Sequence, residues 1–512
     1  MDERIAYALA RLPDYLSGHV LVSVTALALG LALSFPLALA ALRRPALRAS
    51  LLTATSIVQT IPGLALLALF YPLLLAAAAF SERAFGFGFS ALGFLPAVLA
   101  LALYSMLPVV RNTVTGILGI DPAARQAALG VGMTGGQTLR LVELPLAMPV
   151  IMAGVRTAAV WVIGTATLST PIGQTSLGNY IFAGLQTQNW VLVIFGCVAA
   201  AVLALAVDQL LALLERGYAN RSRTATAASA AGLALLTAAA LVPGMLRPDG
   251  GYTIGAKSFS EQYILAALMQ DRLRSRNLPA RRTDGLGSAV ILGALASSDI
   301  DAYVDYTGTV WANQMGRTDV RPRAEVMREV KSWLKARHGI VTLGGLGFEN
   351  AYALAMTSAK ARQLGIRSIA DLAPHAASLS VAGDYEFFGR PEWQAIRQAY
   401  GLTFGQERQM QAELMYRAVA AGEVDVISAY TSDGRIAALD LVVLDDPKQA
   451  IPPYDAILLV APQRAGDAVF LDALRPLVGA INVEMMREAN LRASTGATPE
   501  AAARWLEQRL GR

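Results

Sequence analysis

The sequence predicts an all-α polytopic membrane domain of about six transmembrane helices, followed by an α/β bilobed domain. Three observations carry that expectation. Charge is unevenly divided: residues 1–249 hold 23 charged side chains and no lysine, whereas residues 250–512 hold 58. Six apolar stretches in the first half each approach the roughly 20 residues needed to cross a hydrocarbon core. From Gly251 onward, short β-branched runs alternate with longer helical ones, the pattern of parallel strands with crossover helices. A chain of 512 residues also exceeds one compact domain.

The six stretches are 20–42, 55–79, 92–110, 146–168, 190–214 and 225–246, all rich in Ala, Leu and Val. Buried helices of a large soluble protein can mimic one such run, but not six of them. Segment 1–19 lacks a basic stretch followed by an apolar one, so it reads as a short interfacial segment rather than a cleaved signal. Arginine sets the orientation. Arg43, Arg44 and Arg48 follow the first span; Arg111, Arg125 and Arg140 lie between the third and fourth; Arg216, Arg221 and Arg223 lie between the fifth and sixth. With these loops in the cytoplasm, everything after the sixth span lies outside. The predicted organisation is therefore a 1–19 segment, a membrane domain over 20–224, a sixth helix and short Pro/Gly-rich linker over 225–250, and an extracytoplasmic domain over 251–512.

Composition removes several function classes. The first half carries 14 arginines against 9 acids and the second 29 of each sign, so the basic pI belongs to the apolar half. No soluble basic face is left for nucleic acid. The single cysteine, Cys197, excludes a disulfide framework and a cysteine-rich zinc site, and three histidines leave little for a metal. No G-x-x-x-x-G-K-[ST], H-E-x-x-H or G-x-S-x-G string occurs, so nothing supports bond-making chemistry or a metal.

Two motifs remain. The first lies at about 121–145, between the third and fourth spans. Gln126-Ala127-Ala128, then Gly132, then Val142-Glu143-Leu144-Pro145 form a spaced pattern. Paired small residues let a helix pack closely in a partner's groove, the glycine permits a sharp turn, and the proline ends the amphipathic stretch as the chain re-enters the membrane. This resembles the EAA loop of ABC-importer permeases, with Gln126 where that family usually has Glu. The resemblance implies a coupling helix docking on a separate ATPase subunit. Two such subunits would bind ATP and Mg, and this chain, which holds no cofactor of its own, would dimerise. Within the second stretch, Ser56-Ile57-Val58-Gln59-Thr60-Ile61-Pro62-Gly63 places polar residues and a proline in a span, either as a kink or as a polar patch. The string is similar to the permeases of osmoprotectant (glycine betaine/carnitine/choline) importers. Asp208, inside the fifth stretch, reads as a snorkelling or arginine-paired acid.

The second motif is a set of tyrosines in short polar strings of the soluble half. Tyr306 lies in DAYVDYTGT, Tyr352 in FENAYALA, Tyr430 in DVISAYTSDG and Tyr454 in IPPYDAILL. Any one of them is explained as an ordinary amphipathic residue. Together they suit a quaternary ammonium, which offers no hydrogen-bond donor and is drawn to ring faces at roughly 0.5–2 kcal/mol per ring. The strings GAKSFSEQYIL, DAYVDYTGT, DYEFFGRPEW, AAGEVDVISAYTSDGRI and LDDPKQAIPPYDA resemble, in order, the periplasmic-binding-protein-like domains of the same osmoprotectant importers. The resemblance implies that Tyr306, Tyr352, Tyr430 and Tyr454 box a trimethylammonium group. It also implies that Lys257, Gln262, Thr309 and Arg390 meet the ligand's carboxylate or hydroxyl. The expected protein is a non-enzymatic subunit of a bacterial cytoplasmic-membrane importer for a betaine-, choline- or carnitine-like solute. Ergothioneine is an alternative cargo, and a bilobed ligand-gated sensor or channel is the alternative class.

Overall fold

The computed structural model describes residues 3–511 apart from 87–88, 187–188, 246–250, 318, 320 and 385–386. It divides into two compact units, Met1–Phe182 with Val191–Pro248 and Ala183–Trp190 with Asp249–Arg512.

Among the described residues of the first part, six helices are long and apolar enough to cross a membrane: Arg4–Leu42, Gly63–Phe85, Phe94–Leu118, Gly135–Ile172, Trp190–Ala219 and Arg223–Val242. Three expected details change. Segment 1–19 is not separate: one helix runs unbroken over Glu3–Leu42, burying Ala8 and Tyr15 as well as Val22 and Ala26. Its apolar face simply continues past position 19. The second stretch is broken rather than kinked. Helix Pro45–Thr60 ends before Ile61-Pro62, and a new helix begins at Gly63. The Tyr104 hydroxyl donates to the Ile61 carbonyl at the break, so a backbone acceptor released there is satisfied inside the protein. Pro145 does not close the loop but opens a helix. It sits in the first turn of Leu144–Ala166, where its missing N–H costs little. A π-helical turn over Leu139–Glu143 joins that helix to Gly135–Thr138.

Close packing depends on small residues. A Cβ on Gly154 would lie 2.7 Å from the Pro108 carbonyl oxygen and 2.7 Å from Asn112 Cβ, so only glycine lets these helices approach. Asp208 is paired, as one sequence reading has it. Arg156 grips it with Nε–Oδ1 of 2.9 Å and Nη2–Oδ2 of 3.0 Å, and reaches Glu215 at 3.2 Å.

The second unit holds ten strands: β1 (Tyr252–Lys257), β2 (Ala280–Leu286), β3 (Ala302–Tyr306), β4 (Val341–Glu349), β5 (Tyr352–Thr357), β6 (Ser380–Gly383), β7 (Gln406–Gln409), β8 (Val426–Tyr430), β9 (Leu441–Val443) and β10 (Asp455–Val460). They form two five-stranded sheets, ordered β2-β1-β3-β10-β4 and β7-β6-β8-β5-β9. Each is a separate lobe. β1 and β3 are buried along almost their whole length, as parallel strands covered on both faces require. The chain crosses between lobes twice, at Asn350-Ala351 after β4 and over 444–454 before β10. Beside these crossings the pairing is antiparallel, with Asp455 opposite Glu349. Helix Ser260–Ser275, buried on most sides, packs on the first sheet together with the C-terminal helices Val483–Ser494 and Pro499–Leu510. Thr498 caps the last helix by accepting from the Ala501 amide at 3.1 Å, with Pro499 in its first turn. The expected linker falls largely on 246–250, outside the described residues.

Candidate functional site

Strand ends of both lobes meet at a cavity of about 240 Å³ in the second unit. Tyr306 is the last residue of β3, and Tyr454 immediately precedes β10. Tyr352 begins β5 and Tyr430 ends β8, and the antiparallel register sets them directly opposite each other. Their ring centroids are 5.0 Å apart, and Tyr352 meets Tyr454 edge-on at 6.0 Å. All four tyrosines line the cavity, with Thr309, Arg390 and Lys257.

The hydroxyls of three of these rings are turned to carboxylates. Tyr306 donates to Glu261 at 2.5 Å, Tyr430 to Asp384 and Tyr454 to Glu392. Burial, with the adjacent carboxylates, pushes all three phenols well above their ordinary pKa. They are neutral rings whose polar tips are already engaged. Glu261 is nearly fully buried; it accepts from Tyr306 and from Asn350 at 3.1 Å, Ser432 at 2.6 Å and Asn490 at 2.9 Å. Burial pushes its carboxyl upward, against the pull of these donors.

The expected polar contacts divide. Arg390 caps helix Pro391–Tyr400, and its guanidinium lies 5.2 Å from the Tyr352 ring centroid. Thr309 stands one turn after Tyr306. Gln262 is not on the cavity wall: its amide donates to the Val304 carbonyl at 2.9 Å and to the Tyr306 hydroxyl at 3.1 Å, so it holds a ring rather than facing a ligand. Lys257 is at the wall but joined to Asp305 at 2.5 Å, both nearly fully buried, so its charge is spent within the protein. Of DYEFFGRPEW, residues 385–386 lie outside the described ones.

In the first unit, Asp121 caps helix Pro122–Gly130 by accepting from the Ala123 amide at 2.8 Å. Gln126 and Ala127 face outward, whereas Ala128 is buried. Gly132 follows with φ of +78°, a conformation that favours glycine, in open space. Leu144 and Pro145 are half-buried where the next span begins. Arg125 braces the short helix to the π turn through Glu143 at 2.6 Å. Around this frame Leu129, Val131 and Leu141 are 60–75% exposed, an apolar patch on an otherwise polar connection.

Residues 251–508 match the family described as the substrate binding domain of ABC-type glycine betaine transport system, and residues 30–220 match the binding-protein-dependent transport system inner membrane component. The chain belongs to the binding-protein-dependent ABC importers. It carries permease and substrate-binding domain in one polypeptide. An ABC-importer permease works with an ATPase partner and a small-solute ligand. An ergothioneine transport permease/ergothioneine binding protein of Helicobacter pylori is 29% identical over 484 residues, 91% of this chain and 84% of that one. A glycine betaine/carnitine/choline transport system permease of Bacillus subtilis is 41% identical over 198 residues, 39% of this chain and 84% of that one. A crystal structure of a glycine betaine/carnitine/choline ABC transporter is 28% identical with a TM-score of 0.46, covering 50% of this chain and 98% of that one.

Sequence reasoning about this importer missed Glu261, Asn350, Asp384, Glu392 and Asn490. Four of these lie inside strings already singled out, and three of the four, Glu261, Asn350 and Glu392, stand within two residues of an expected ligand residue. Asn490 carries no local signal: it is brought in by helix Val483–Ser494 from 229 positions away.

Proposed function

We propose that this importer takes up a quaternary-ammonium compatible solute of the betaine, choline or carnitine type, held by Tyr306, Tyr352, Tyr430 and Tyr454. The observation that supports this most is the gathering of four tyrosines on one cavity, three of them with hydroxyls already bound to carboxylates. Such a site offers ring faces and few free donors, which suits a cation without N–H groups. Arg390 and Thr309 suit the ligand's carboxylate or hydroxyl; Lys257 and Gln262 act on the protein side. The binding domain faces the extracytoplasmic side of a bacterial cytoplasmic membrane, in keeping with the arginine-bearing loops. Two copies of the chain pair, and two ATPase subunits, which bind the ATP and Mg, dock where Gln126, Ala127, Gly132 and the exposed Leu129 and Val131 stand.

A second reading, ergothioneine as cargo, draws on two observations. The Helicobacter pylori relative aligns across both units. The buried side-chain oxygens of Asn350 and Asn490 have no partner among the described residues, and would accept from the ring N–H groups that a simple betaine lacks. Calorimetric titration of the full chain in micelles with glycine betaine, choline, carnitine and ergothioneine separates the readings. Binding of one of them, lost in Tyr306→Ala, supports the cage and names the cargo. Binding of none refutes the substrate class.

A further inference from the structure

The tyrosine hydroxyls end on carboxylates whose charge is not used elsewhere in the mechanism. Glu261, Asp384 and Glu392 come from three different elements, and all three are at least nine-tenths buried. Two of the cations on the cavity wall are already neutralised: Lys257 by Asp305 at 2.5 Å, and Arg435 by Asp433 at 2.5 Å. Glu261 is held by four neutral donors. Glu392 accepts from Tyr454, and its second oxygen has no partner among the described residues. Glu261 and Glu392 have no cation partner among the described residues, unlike two other tyrosine–carboxylate pairs of the domain: Tyr303 with Asp305 and Lys257, and Tyr252 with Asp467 and Arg464. The cage thus lies in a pocket of negative potential, with Lys257, Arg435 and Arg390 as the cations on its wall.

We propose that Glu261, Asp384 and Glu392 are specificity-determining residues that act through the tyrosine hydroxyls and make the cage select charge rather than shape. An O–H donated to a carboxylate shifts electron density onto the phenol oxygen and into the ring, so the face presented to the ligand becomes more negative. The carboxylate itself adds an attractive field in a site that excludes water. Glu392 stands behind Tyr454, off the cavity wall, so that ring transmits its effect, whereas Glu261 and Asp384 reach the wall and also add their field directly. A trimethylammonium group gains from this, and a tert-butyl group of the same shape does not. The inference rests on the quaternary-ammonium reading and specifies which residues enforce it.

The test compares each trimethylammonium ligand with the isostere in which carbon replaces the charged nitrogen, on the full chain in micelles. Choline is paired with 3,3-dimethylbutan-1-ol, and glycine betaine with 3,3-dimethylbutanoate. Glu392→Gln keeps an acceptor for Tyr454 but removes the charge; Tyr454→Phe keeps the ring but removes the link. Asp384→Asn and Tyr430→Phe repeat the design at a second ring and cover the case in which one variant fails to fold. The expected result is that each variant lowers the cation-over-isostere preference about fivefold, within the range one ring contributes, with isostere affinity unchanged within about twofold. Equal loss for cation and isostere, or no change in the ratio, overturns the role of the carboxylates while leaving the cage standing. Failure of the unmodified chain to bind either cation overturns both the inference and the reading beneath it.

Discussion

The two units of this chain satisfy their polar groups in opposite ways. In the membrane unit several hydroxyls bond to their own helix. Thr25 donates to the Leu21 carbonyl at 2.8 Å, Thr157 to Ala153 at 2.9 Å and Ser105 to Ala102 at 2.7 Å. In the binding unit the important bonds join distant elements: Glu261 to Ser432 across the lobes, Tyr306 to Glu261, and Tyr454 to Glu392. Lipid offers no water to stray groups, so a span must be nearly self-sufficient. A bilobed domain can draw on partners from both lobes, and its site exists only where they meet. Bonds between elements do occur in the membrane unit, among them Tyr104 to Ile61, Tyr180 to Ala8, and Arg156 to Asp208 and Glu215, the last made of charges that hydrocarbon does not tolerate alone.

Substitutions sharpen this contrast. Tyr352→Ala removes the ring that meets Tyr430, Tyr454 and Phe387. We expect affinity to fall by about 30-fold or more, about 2 kcal/mol, for cage and packing together. Tyr352 is also a buried core ring, so the binding unit's melting temperature should fall while that of the membrane unit does not, and calorimetry with thermal unfolding checks both. Arg156→Leu should do the reverse. It leaves Asp208 and Glu215 without their cation, and stability in micelles should fall by about 1–3 kcal/mol, the cost of a partly exposed pair. Ligand affinity should stay as it was, and a loss of affinity instead would break the contrast. Gly154→Ala forces a methyl against the Pro108 carbonyl and Asn112, at about 1–3 kcal/mol for overpacking, read as a lower melting temperature of the membrane unit.

The smallest effect belongs to the exposed network of Arg317, Asp319 and Arg321. Hydrogen bonds from Arg317, then Arg321, hold the Asp319 carboxyl well below the usual carboxylate range. A carboxylate lowered on folding stabilises above its unfolded pKa of about 3.9 and loses that contribution as pH falls through the lower folded value. Unfolding curves of Asp319→Asn and the unmodified chain should therefore differ slightly near neutrality and converge on acidification below about pH 4. An unchanged gap down to pH 2 contradicts the pairing.

The site was partly legible. Tyr306, Tyr352, Tyr430 and Tyr454 stand in polar strings at strand ends, and their meeting follows from a register that an alternating pattern suggests. The resemblance implied that Lys257 and Gln262 meet the ligand, but β1 and helix Ser260–Ser275 engage them with Asp305 and Tyr306. Those partners lie 44–48 positions away, so no local pattern contains them. The coupling segment shows the same boundary. Gly132 was read as a turn and has the positive φ that a turn requires, whereas Pro145 was read as an end and begins a helix.

The amino-acid sequence alone determined the class of molecule, a membrane half and a two-lobed half, and their order; which tyrosines belong together came from the resemblance to a known family. Hydrophobic length and strand–helix alternation are local properties and survive without contacts. The tertiary structure decided the partners: which acid lies behind each tyrosine, which cation is already neutralised, and where spans start and break. Burial makes those choices, because an ionised or hydrogen-bonding group removed from water must find its partner wherever the fold places one.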